Sequence, residues 1–183
     1  YHELVKGGSG QGCGHNLLGA GAMAAAIGEA LDLTGEEITA GVAAYVPTGS
    51  RMHIIHLPEE RLLIDDCYNA NPQAMREALK LLAVTQTRRR AAVLGDMGEL
   101  GELTVSAHRA IGALTGELHL DSVIAIGEKA RDIASAASSA QWFPSVEDAL
   151  PAVRAAFTGG TAMLVKASHA MHFENIVKEL EQS

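Results

Sequence analysis

The sequence predicts an α/β protein: a doubly wound, mainly parallel sheet preceded by a short helical segment. Three observations carry that expectation. From residue 50 onward, short apolar runs alternate with stretches of helical periodicity, the pattern of βαβ units with right-handed crossovers and a sheet covered on both faces. Polar residues collect just after successive apolar runs, which is where open α/β sheets take their ligands. Before residue 50 the chain is rich in alanine and glycine and has no strand patterning.

Taken in order, GGSGQGCGHN (residues 7–16) is too glycine-rich for regular structure. It leads into a helix expected over residues 17–33, with Asn16 as the N-cap. A second helix follows in LTGEEITAGVAAY, where Thr34 and Glu37 have the spacing of a capping box and Ile38, Val42 and Tyr45 share a face. Pro47-Thr48-Gly49-Ser50 breaks the pattern, so the domain boundary is placed here, dividing residues 1–48 from 49–183. Residues 52–57 and 61–66 read as a hairpin across Pro58-Glu59-Glu60, and residues 72–84 as a helix in which Met75, Leu79 and Leu82 face the core. Strands are expected at AAVLGDM, SVIAIG, AQWF and TAMLVKAS, with helices at 103–117, 128–138, 146–157 and 170–181.

Composition narrows the function. The chain has 183 residues, 48% hydrophobic and 20% charged, enough to bury a full core. Its formal charge of -8 leaves Arg88-Arg89-Arg90 as the one compact basic run, which argues against a nucleic-acid partner. No apolar run reaches the roughly 18 residues of a membrane span, so no membrane insertion is expected. Cys13 and Cys67 lack the spacing of a zinc site or redox pair, which fits a reducing cytoplasm. The start, Tyr1-His2-Glu3-Leu4, has neither an initiator methionine nor a signal-peptide layout, and the chain is expected to be part of something larger. No G-x-x-x-x-G-K-[ST] phosphate loop occurs in the sequence, and the leading glycines do not follow a strand as a dinucleotide fingerprint requires.

The strand-end clusters are Asp65, Asp66, Tyr68, Asn69 and Asn71; Gly95-Asp96-Met97 with Glu99; Gly127-Glu128; and Lys166-Ala167-Ser168-His169. Each also has a purely structural reading. The two acids can cap a turn, Asn71-Pro72 can simply start a helix, the glycines can supply positive φ, and Lys166 can be a paired surface lysine. His53 and His56 have no third ligand-like partner, so no metal site is expected there.

In combination the clusters resemble a known family. IDDCYNANPQAM is similar to the D-D-S-Y-N-A-N-P-x-S-M signature of those Mur ligases that attach D-alanyl-D-alanine to UDP-N-acetylmuramoyl-tripeptide, and LGDMGELG followed by His108 resembles their next signature. GHNLLGAGAMAAA resembles the family's G-R-H-N-x-x-N-A-x-A-A helix start, Gly49-Ser50-Arg51 its G-R element, and LVKASHAMHFENIVKEL its closing K-G-S-R-x-M-x-x-E segment. The chain departs from these patterns at Gly14, Gly19, Cys67 and His169.

The resemblance implies a Rossmann-like C-terminal domain over residues 49–183, preceded in 1–48 by the last helices of a central ATP-binding domain. It implies a bacterial cytoplasmic ligase of peptidoglycan precursor synthesis that uses ATP and Mg2+ and proceeds through an acyl phosphate. By motif position Asn16, Arg51 and Asp66 would serve ATP, with Asn16 at the adenine and Asp66 at the ribose. Tyr68, Asn69 and Asn71 would line the D-alanyl-D-alanine side, and Lys166 and Ser168 would make contacts from the closing segment. The phosphate- and metal-binding groups would lie in another part of such a ligase, so this piece alone is expected to be inactive. Two other readings stay open: a free-standing nucleotide-binding or interaction module, and a Mur-type ligase with another amino-acid substrate.

Overall fold

The computed structural model describes residues 26–28, 30–43 and 51–183. The glycine-rich lead, Asn16, most of the first expected helix and Tyr45 lie outside the described residues. The chain divides into two compact units, Tyr1–Thr48 and Gly49–Ser183.

In the first unit, residues 26–28 and 30 are helical and α1 spans Gly35–Ala43. The capping box forms as the spacing predicts. Thr34 donates its backbone N–H to Glu37 Oε2 at 2.8 Å, and Glu37 N–H returns a bond to Thr34 Oγ1 at 3.3 Å. The Thr34 N–H foremost, and then the Thr34 hydroxyl, which donates to the same Oε2 at 2.8 Å, hold the Glu37 carboxyl below its usual range.

The second unit carries β1 (His53–Leu57), β2 (Arg61–Asp65), α2 (Pro72–Val84), β3 (Arg89–Gly95), α3 (Thr104–Glu117), β4 (Ser122–Ile126), α4 (Arg131–Ala136), β5 (Ala140–Phe143), α5 (Val146–Ala156), β6 (Thr161–Lys166) and α6 (Glu174–Glu181). The strands form one sheet in the order β1-β2-β6-β3-β4-β5, in which only the β1–β2 hairpin is antiparallel.

Alternation along each strand sorts the side chains into two cores. Leu62, Ile64, Ala92, Leu94, Ala162 and Leu164 pack under α2, α3 and α4, whereas Leu63, Val93, Ile124, Met163 and Val165 pack under α5 and α6. The split follows from the path of the chain. Successive right-handed crossovers from β2 through β5 advance in one direction and keep their helices on one face, and the return to β6 puts α5 on the other. β6 is therefore flanked by strands whose following helices lie on the opposite face, and a crevice opens beyond its carboxyl end.

Several boundaries differ from expectation, three of them for a visible local reason. β1 starts at His53 because Met52 is left-handed, with φ of 49°. α4 is shorter than residues 128–138, since Gly127 turns at φ of 111° and Asp96 Oδ1 accepts the Ala130 N–H at 2.7 Å, which holds the preceding residues in a turn. The closing helix is interrupted: a short 3-10 turn, His169–Met171, ends in left-handed His172, with φ of 52°, before α6 begins.

Candidate functional site

The crevice is built from three strand ends. Residues 66–71 leave β2, residues 96–103 leave β3, and residues 167–172 leave β6 between them. Asp66 N–H bonds Val165 O at 3.0 Å, which extends the β2–β6 pairing one step past the last strand residue. The chain then runs without ladder bonds until Asn71, whose side chain accepts the Ala74 N–H at 2.8 Å and caps α2, with Pro72 at the first helical turn.

Of the residues singled out from the sequence, Arg51 and Tyr68 meet directly. The Arg51 guanidinium lies 4.1 Å from the Tyr68 ring centroid, and Tyr68 is 44% exposed. His169 continues the stack at 5.4 Å from Tyr68, and His172 follows at 6.2 Å. The Asn69 side chain is exposed beside them. His169 belongs to the last strand-end cluster and departs from the family pattern, but its place against Tyr68 depends on a ring contact across distant segments, which has no sequence signal. Ser168 is half-buried, and its N–H donates to Asp96 O at 3.2 Å.

Lys166 and Asp66 turn inward. Lys166 is 1% exposed and Asp66 7%, and the ammonium sits 2.6 Å from Asp66 Oδ2. Lys166 is thus paired, but as a buried rather than a surface lysine. Asp66 Oδ1 also accepts the Met52 N–H at 3.1 Å. Burial pushes the Asp66 carboxyl above its ordinary range; the Lys166 charge and hydrogen bond, with the Met52 N–H, pull against that shift, and burial prevails. Neighbouring Asp65 is spent locally, accepting from Cys67 N–H at 3.3 Å and Cys67 Sγ at 2.9 Å.

The β3 side of the crevice is closely packed. His108 is fully buried, with Nε2 accepting the Met97 N–H at 3.0 Å and Nδ1 2.7 Å from Thr104 O. One ring nitrogen must accept and the other donate, so the ring is neutral with its proton on Nδ1. A Cβ on Gly127 would meet Asp96 Oδ1 at 2.5 Å, and one on Gly95 would meet Ala167 Cβ at 2.6 Å. Glycine at both positions lets the loops close on one another. Among the described residues, no group of three His, Cys, Asp or Glu side chains could hold a metal ion.

A doubly wound domain with polar strand ends gathered at a switch in the sheet is, as a class, a Rossmann-like ligand-binding domain. The family model described as "Mur ligase, glutamate ligase domain" matches residues 50–169, and the chain belongs to the Mur ligase family, ATP-dependent amide ligases. It is 32% identical over 176 residues to the UDP-N-acetylmuramoyl-tripeptide--D-alanyl-D-alanine ligase of Bacillus subtilis, covering 92% of this chain and 38% of that one. With the enzyme of the same description from Escherichia coli it shares 29% identity over 170 residues, 92% of this chain and 36% of the relative. A crystal structure of MurF from Acinetobacter baumannii superposes with a TM-score of 0.83 at 29% identity, over 93% of this chain and 38% of that one. The chain therefore spans little more than a third of the length of these relatives. No helix among the described residues is long and apolar enough to cross a membrane.

Proposed function

We propose that this chain is part of an ATP-dependent ligase that adds D-alanyl-D-alanine to UDP-N-acetylmuramoyl-tripeptide, through an acyl phosphate, in cytoplasmic peptidoglycan precursor synthesis. On this reading residues 49–183 form the C-terminal domain and residues 1–48 close the central ATP-binding domain. The observation that carries it is the 65–72 segment, whose D-D-x-Y-N-A-N-P pattern stands at the switch in the sheet with Arg51 stacked on its exposed tyrosine.

ATP would supply the activation of the tripeptide carboxylate. Arg51 fits such an anionic ligand, being an exposed cation held in place by a ring. The Asp66 carboxylate is already engaged on both oxygens, so its support for a nucleotide runs chiefly through holding the segment that carries Arg51. The described residues supply no metal-ligand cluster. The Asn69 amide can donate and accept, which suits a ligand bearing both an ammonium and a carboxylate. Holding that amine in line with an activated carboxylate lowers the barrier by removing orientational freedom before reaction.

The test is a nuclear magnetic resonance titration of the chain with D-alanyl-D-alanine, with L-alanyl-L-alanine and meso-diaminopimelate run in parallel. Saturable shifts at residues 68–71 with the D-dipeptide alone, lost in Asn69→Leu, are the expected result. Saturable shifts with diaminopimelate and none with the dipeptide would assign the crevice to another amino-acid substrate.

A further inference from the structure

Lys166 ends β6 in the middle of the sheet, below the loop that carries the exposed crevice residues. Its ammonium has three protons. It donates to Asp66 Oδ2 at 2.6 Å and to Asn69 O at 2.8 Å, and it lies 3.5 Å from Asp66 O. With those acceptors and 1% exposure, it has nothing left to offer a ligand.

Its partners carry the order outward along two branches. Through the Asn69 carbonyl it pins the middle of a loop that is also tied by the Asp66 N–H and the Cys67–Asp65 bonds at one end and by the α2 cap at the other. Through Asp66 it fixes the Met52 N–H, and Met52 holds a left-handed backbone directly after Arg51. Both branches end on the same pair, because Arg51 and Tyr68 stack.

We propose that Lys166 is a positioning residue: one buried ammonium, bonded to the Asp66 carboxylate and the Asn69 carbonyl, presents Arg51, Tyr68 and Asn69 together as a single ligand-facing surface. The claim that this surface serves ligation rests on the ligase reading above; the claim that Lys166 organises it does not.

The experiment compares the 183-residue chain with Lys166→Met and with the double variant Asp66→Asn/Lys166→Met. The single variant leaves a buried carboxylate unpaired and can fail to fold, whereas the double variant removes both charges and keeps an oxygen for the Met52 N–H. Amide hydrogen exchange is followed residue by residue, alongside D-alanyl-D-alanine titration of the unmodified chain. In the double variant, exchange at residues 67–70 and at Met52 should accelerate at least tenfold, while β3 and β4 change less than twofold. A uniform acceleration across the sheet, or a loop as protected as in the unmodified chain, overturns the positioning role. Localised loosening together with a dipeptide that never binds keeps the positioning role and refutes the ligase reading instead.

Discussion

Asp66 shows how burial and charge pairing compete at one residue. Its carboxyl is raised above 3.8 chiefly by desolvation, against the pull of Lys166 and the Met52 N–H. A raised value means the folded state binds the proton more tightly than the unfolded chain. The contribution of Asp66 to stability is thus fully present below the unfolded value and is lost as pH rises through the folded one. Urea unfolding of the unmodified chain and of Asp66→Asn across that window should show the unmodified chain losing ground to the variant as pH rises; a gain would mean that Lys166 outweighs burial. Asn71 poses a different separation, since its oxygen caps α2 while its amide protons remain available. Asn71→Ala should cost about 1 kcal/mol of stability through the cap alone. Asn71→Asp keeps the cap and removes the donor, so thermal melting beside dipeptide titration separates folding from recognition.

At the scale of elements, helix packing on the first face depends on close approach. A Cβ on Gly112 of α3 would stand 2.2 Å from Ile133 O of α4, a backbone atom with nowhere to go. Gly112→Ala should therefore destabilise by about 1–3 kcal/mol through overpacking. Gly98→Ala, with nothing within 4 Å of the added carbon, should be nearly neutral apart from backbone entropy. Equal melting temperatures for the two variants would mean that α4 shifts freely against α3. The short α4 matters to the crevice because its start is tied to Asp96, the residue that also faces Gly127.

For the whole molecule, every buried hydrophobic residue described lies between Leu62 and Leu180, while Ile27, Leu31 and Leu33 are exposed. The second unit thus holds its own core. Residues 49–183 alone should unfold in one cooperative transition whose midpoint lies within a few degrees of that of the full chain, as followed by circular dichroism. A broad transition would show that residues 1–48 are needed. Mg-ATP should bind the full chain only weakly, with Kd near the millimolar range that corresponds to about 4 kcal/mol, and calorimetry reads this directly. Micromolar binding would place a phosphate site within these residues.

The sequence by itself determined the hairpin, the alternating strands and helices, the α2 cap and the strand-end position of each polar cluster. These rest on local periodicity, proline placement and side chain-to-backbone bonds a few residues apart, all of which a linear chain displays. Only the tertiary structure decided that β6 inserts between β2 and β3, because strand order depends on packing across the sheet. That insertion brings Lys166 against Asp66, a hundred residues earlier, and His169 against Tyr68. Whether a lysine faces water or a buried carboxylate depends on which strands become neighbours, and burial set by the assembled sheet turned Lys166 inward while leaving Arg51, Tyr68 and Asn69 at the surface.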